Sequence, residues 1–103
     1  MGKWAVVARY SQGDHHVTEV VSRVTGTRED AEEALQLAVR SYRAPKREKW
    51  REVYRFPGGD SYLVIVKGAV TFLEITLSLA ELVHDTKDWD LWPAEPEDRP
   101  PVR

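Results

Sequence analysis

Cysteine is absent from all 103 residues. Its absence excludes disulfides, thiolate nucleophiles and every cysteine-containing zinc site. A strong charge of one sign is also missing: fifteen Lys and Arg stand against seventeen Asp and Glu, for a net charge of −2. A chain so balanced has no bulk field to hold it on nucleic acid or on an anionic membrane. No apolar run reaches the roughly 20 residues that a membrane-spanning helix needs. Trp4 to Ala8 is too short for the apolar core of a secretion signal, and no small-residue cleavage pattern follows it. The expected location is therefore cytoplasmic, with no membrane partner. Internal repeats are absent, and so are Walker loops, dinucleotide fingerprints, paired-carboxylate spacings and Ser/His/Asp orders. The expectation is a protein that is not an enzyme and takes no cofactor. His15 and His16 are neighbours on an expected strand, where adjacent side chains point to opposite faces, so they do not close on one metal ion together. No metal site is expected.

What is present is the composition of one small folded domain, 42% hydrophobic and 31% charged. Its centre is Trp50–Leu77, WREVYRFPGGDSYLVIVKGAVTFLEITL, which reads as three consecutive antiparallel strands. In the first, Trp50, Glu52, Tyr54 and Phe56 alternate with Arg51, Val53 and Arg55. Pro57-Gly58-Gly59-Asp60 reverses the chain. YLVIV, Tyr62 to Val66, is apolar on both faces and reads as a central strand covered on both sides. Lys67-Gly68 punctuates a hairpin, and Leu73, Ile75 and Leu77 then alternate with Phe72, Glu74 and Thr76. Ser78-Leu79-Ala80-Glu81 has capping-box spacing and predicts a short helix over 79–84.

Upstream, Lys3 to Tyr10 reads as a strand with Trp4, Val6, Ala8 and Tyr10 on one face. His15 to Thr25 carries valines at helical spacing but is dense in Val and Thr; it reads as a strand paired with the first across the Ser11–Asp14 turn. Thr27 caps a helix over Arg28–Tyr42, with acids in its first turns, Arg40 and Arg43 near its end, and Pro45 preventing continuation. Ala31, Ala34, Leu35, Ala38 and Tyr42 form its apolar stripe. The fold expected is α+β: a mostly antiparallel sheet in the order β-β-α-β-β-β, a short C-terminal helix, and the main helix packed on one sheet face. Residues 1–92 form the domain, and 93–103 are an acidic, proline-rich tail without fixed structure.

Two functional readings follow from different features. One helix covers only one face of a five-stranded sheet, which leaves an apolar face for a partner. The first reading is a protein-interaction module that pairs as a homodimer, or joins another protein, through that face. Its expected contact residues are Tyr62, Val64, Val66, Phe72, Leu73 and Ile75, with Trp89 and Trp92 from the acidic stretch Asp88-Trp89-Asp90-Leu91-Trp92. Those two rings either fold back on the chain's own sheet or dock on a partner. The alternative is a nucleic-acid-binding accessory protein. It rests on the basic, aromatic segment 40–55, through Arg43, Lys46, Arg47, Lys49, Trp50, Arg51 and Arg55, with cations on phosphates and rings on bases.

Lys3 to Leu37, a strand, a turn, a strand and the helix of VTGTREDAEEAL, resembles the small amino-terminal DNA-binding domains of tyrosine-type phage integrases, in which sheet residues meet the DNA. The resemblance covers the first third of the chain. It has two strands before the helix where the family has three, and three further strands follow, so no residue role is carried over from it.

Overall fold

A computed structural model describes residues 2–87 of the protein. Its elements are β1 (Gly2–Gln12), β2 (His15–Gly26), α1 (Arg28–Ser41), β3 (Glu48–Arg55), β4 (Ser61–Gly68) and β5 (Phe72–Glu81). The strands form one sheet in the order β2-β1-β5-β4-β3, and every neighbouring pair is antiparallel. The fold is thus α+β with the expected element order. A hairpin, β1–β2, and a meander, β3–β4–β5, join edge to edge where β1 meets β5, and α1 carries the chain between them.

The local chemistry explains each boundary. Gly13, at φ 60°, sits in the two-residue turn between Gln12 and His15. Val6 pairs with Ser22 and Val7 with Val20, which makes Val21 the extra residue of a bulge. Thr27 caps α1 in both directions: its hydroxyl accepts from the Asp30 amide at 3.1 Å, and the Asp30 carboxylate accepts from the Thr27 amide at 3.0 Å. The helix ends at Ser41 because Tyr42 leaves helical geometry at φ −65°, ψ 131°, its amide still donating to the Ala38 carbonyl at 2.8 Å; Arg43 follows at φ 55°. Gly58 and Gly59, at φ 103° and 79°, reverse the chain between β3 and β4.

One face of the sheet lies under α1. Val6, Ala8 and Tyr10 from β1, Val64 and Val66 from β4, and Ile75 and Leu77 from β5 meet Leu35, Ala38 and Val39 of the helix in a single core. The helical stripe read from the sequence faces the sheet, with Val39 added to it. Full burial of each larger aliphatic side chain here contributes roughly 1.5–3 kcal/mol. α1 packs against β2, β1 and β5, so β3 extends beyond its cover.

Two expectations are corrected. Tyr62–Val66 is an interior strand, as expected, with β5 on one side and β3 on the other, but it is covered on one face only. The YLVIV pattern arises because Val64 and Val66 lie under the helix while Leu63 and Ile65 are half-buried on the opposite face among their neighbours' side chains. The short helix over 79–84 is absent: β5 continues to Glu81, and 82–86 are irregular. Leu79 pairs with Val6, and the Leu79 amide donates to the Asp60 carbonyl at 2.9 Å. The Ser78 hydroxyl meets that of Ser61 across the sheet at 3.0 Å instead of capping a helix. Cross-strand pairing outweighs a four-residue cap signal, since a helix there would forfeit the ladder to β1. The expected tail, 93–103, lies outside the described residues.

Candidate functional site

The sheet face opposite α1 is open. The strand registers assemble it row by row. Phe72, Lys67 and Trp50 stand side by side across β5, β4 and β3; Glu74, Ile65 and Glu52 form the next row, and Thr76, Leu63 and Tyr54 the one after. Arg9 continues the Thr76 row on β1. Trp50 is 44% exposed, Tyr54 52% and Phe72 56%. Three aromatic rings therefore rim Leu63 and Ile65, with Lys67, Glu52, Glu74 and Arg9 interspersed. The Tyr54 hydroxyl donates to the Glu52 carboxylate at 3.1 Å, and that bond raises the phenol's pKa. The same bond tethers the Tyr54 ring on the open face, in the row of Leu63.

Between the aromatic rim and β2 the face dips into an open groove of about 560 Å³ that includes Arg9, Ser11, His16, Leu63, Phe72 and Glu74. The Ser11 hydroxyl and His16 Nδ1 are 3.2 Å apart and both are exposed. Ser11 is the cross-strand partner of His16, and Glu74 lines the same groove from β5. Among the described residues no group of three or more His, Asp or Glu stands together to hold a metal ion, and no helix is long and apolar enough to cross a membrane.

Of the contact residues expected from the sequence, only Phe72 is on this face. Val64, Val66 and Ile75 are fully buried beneath α1, and Tyr62 and Leu73 are half-buried against the same core. They are core residues, because α1 takes the side of the sheet on which they alternate. Gln36 of α1 donates to the Tyr62 hydroxyl at 2.7 Å, which fixes that ring on the helix side. Trp89 and Trp92 lie outside the described residues. The open-face residues the sequence reading missed are Leu63, Ile65, Lys67 and Tyr54. Their signal was the strict alternation of 62–66, which puts Leu63 and Ile65 opposite whichever pair the helix covers.

The basic segment is divided between the two faces. Arg51 is structural: its side chain is only 8% exposed. Its guanidinium donates to the Val39 carbonyl at 2.9 Å and to the Tyr42 carbonyl at 3.2 Å, and it is clamped by both oxygens of Glu48 at 3.2 and 3.0 Å. It caps the C-terminal end of α1 and anchors the edge strand β3 to the helix. The Arg43 guanidinium lies over the Tyr10 ring, 4.7 Å from its centroid, and donates to the Tyr10 hydroxyl at 3.2 Å. Arg55 faces the helix side, in a groove with Glu29, Glu32, Gln36, Arg40 and Tyr62. Lys46, Arg47 and Lys49 are exposed around the start of β3, next to Trp50 on the open face. The seven residues therefore make no single surface: Lys46 and Arg47 lie beside Val70 and Thr71 of the β4–β5 turn, and Trp50 stands on the open face.

No family model, curated protein or solved structure matches this chain.

Proposed function

We propose that the protein is a non-enzymatic interaction module that self-associates through its open sheet face. The observation that carries this reading is the one-sided packing: α1 covers one face, while the other presents Trp50, Tyr54 and Phe72 around Leu63 and Ile65. Exposed aromatic clusters of this kind mark interfaces. A second copy is the partner proposed because the face carries both charge signs, Lys67 and Arg9 with Glu52 and Glu74. In an isologous pair each residue meets a counterpart on the same surface, so a face with both signs can satisfy its own charges. Five strands span roughly 20 Å and eight residues of strand about 26 Å. That flat footprint, about 520 Å², is about two-thirds of the roughly 800 Å² each partner buries in a standard interface, which suits a weaker, concentration-dependent pair.

Sedimentation velocity over a concentration series tests this. The wild type should approach twice the 11.8 kDa chain mass. Ile65→Lys should stay monomeric while remaining folded, since its cross-strand neighbours Glu74 and Glu52 can pair with the new cation. A wild type that stays monomeric at the highest concentration removes self-association.

A second reading, nucleic-acid binding, is favoured by one observation: Lys67 stands next to the exposed Trp50 in its row, and the exposed cations Lys46, Arg47 and Lys49 precede that ring in the chain. Rings flanked by cations suit single-stranded nucleic acid.

A further inference from the structure

The two edges of the sheet are unlike. β3 ends the sheet on one side and carries five charged residues among its eight, Glu48, Lys49, Arg51, Glu52 and Arg55. Charge on an edge strand deters pairing with another chain. β2 ends the sheet on the other side; of its twelve residues four are valine and only Glu19 and Arg23 are acidic or strongly basic. Its inner edge pairs with β1 from His15 to Gly26, interrupted at the Val21 bulge. Its outer edge meets no strand among the described residues. Alternate residues there present N–H and C=O groups outward, a row that matches another extended backbone.

α1 supplies a wall beside this edge. Between the helix and β2 runs a groove of about 360 Å³, lined by Val21, Val24, Ala34, Leu37, Ala38 and Tyr42 together with two serines. No charged side chain lines it. The bulge helps to form its floor: Val21 and Ser22, successive residues, both reach the groove, whereas neighbours on a regular strand face opposite sides. At one end the Tyr42 hydroxyl donates to the Glu19 carboxylate, which holds the ring as an end wall. Leu37 stands at the rim, 59% exposed. The small residues Ala34 and Ser41 lie one turn to either side of it, roughly 10 Å apart along the helix. Alternate side chains of an extended segment are about 6.6–6.8 Å apart, so two of them fit on either side of Leu37.

We infer that an extended segment of another protein adds to the sheet beside Val20–Gly26, with aliphatic side chains at alternate positions seated in the groove between β2 and α1. The backbone row of β2 specifies an extended chain, and the uncharged groove specifies aliphatic residues on one of its sides. The β2 of a second copy fits less well. Full overlap of two His15–Gly26 strands pairs residue 15 with residue 26, and so sets Val20 of each strand opposite Val21 of the other. Two bulges then meet at the centre of the seam, whereas a separate segment meets one. The site is apart from the aromatic rows of the open face, so the inference does not rest on self-association.

Selection of a random peptide library on the immobilised full chain tests this. Enriched peptides should carry aliphatic residues at alternate positions. Leu37→Asp, at an exposed position, should weaken their affinity about tenfold or more, because an uncharged groove does not solvate a carboxylate. Ile65→Lys, on the open face, should bind them as the wild type does, whether or not the chain self-associates. In nitrogen–proton NMR spectra an enriched peptide should shift the amides of Val20–Gly26 and slow hydrogen exchange at alternate ones, with Trp50 and Tyr54 of β3 unmoved. N-methylation of the peptide at every second residue should abolish binding to the wild type in one of the two phases and spare it in the other, since only one edge of the peptide pairs with β2. That comparison decides the matter even if Leu37→Asp fails to fold. Enrichment of no alternating pattern, affinity indifferent to Leu37→Asp, an equal loss in Ile65→Lys, or binding by both N-methylated forms overturns the inference. So does slow exchange along the β2 edge of the chain alone; slowing that fades on dilution would put a second copy there.

Discussion

Arg51 separates a structural cation from a surface one, and its replacement has a calculable cost. Arg51→Ala removes two charge-assisted hydrogen bonds to the last carbonyls of α1 and the clamp to Glu48. A hydrogen bond to a charged group has a net worth of roughly 1.5–3 kcal/mol, so two bonds set an upper range of about 3–6 kcal/mol. The helix end can recover part of this from water, and the Glu48 side chain, 27% exposed, can be solvated once freed. The expected loss is therefore about 2–4 kcal/mol. Arg51→Lys should lose most of it too, since one ammonium does not span two carbonyls and a carboxylate in the guanidinium's fork geometry. The assay is urea unfolding followed by far-UV circular dichroism, with a lowered midpoint and an unchanged slope. A loss within about 0.5 kcal/mol, the range of an ordinary surface substitution, would refute the capping role and return Arg51 to the basic surface.

Leu35→Ala should cost roughly 2–5 kcal/mol in the same titration, because the side chain is fully buried against the sheet. Leu37→Ala, at a 59% exposed position on the outside of α1, should cost well under about 1 kcal/mol. Equal losses would mean that the helix faces the sheet with a different stripe. Desolvation, then the hydrogen bond to Glu19, raises the Tyr42 hydroxyl's pKa above the ordinary phenol value. The folded state thus holds this proton more tightly than the unfolded one. Its contribution is complete below the ordinary phenol range and is lost as pH rises beyond it. A stability–pH curve should fall less steeply there for Tyr42→Phe than for the wild type, and coincident curves would contradict the shift. Binding of the wild type to single-stranded DNA should be weak at physiological salt. A tight complex whose affinity drops steeply with salt, and disappears on replacing Lys46, Arg47 and Lys49 with Ala, would favour the nucleic-acid reading.

Much of the fold was legible because its signals were local. The Thr27–Asp30 cap, the PGGD reversal and the alternation of β1, β3 and β5 each depend on a few neighbouring residues, and each is present as read. Two features depend on distant residues and were not legible. Alternation told that Val64 and Val66 share a face, and that Leu63 and Ile65 share the other, but the side on which α1 settles decides which pair becomes core. Tyr62, Val64, Val66, Leu73 and Ile75 were for that reason placed on the partner's side when they belong to the helix's. Ser78 and Glu81 offered a cap within four residues, while the ladder to β1 that overrides it involves residues more than seventy positions away. Arg51 combined both kinds of signal. Its face was readable from the alternation with Trp50, but its bonds to Val39 and Tyr42 exist only once β3 is brought beside the end of the helix.

The central claim is that the open sheet face is the surface that meets a second copy. Backbone amide shifts in a two-dimensional nitrogen–proton NMR spectrum, followed as the protein is diluted, test it most directly. Concentration-dependent shifts are expected at Trp50, Tyr54, Leu63, Ile65, Phe72 and Thr76, with Glu29, Glu33, Leu37 and Arg40 on the outside of α1 unmoved. Shifts confined to α1, or a spectrum that does not change from the highest concentration to the lowest at the mass of a monomer, would contradict it.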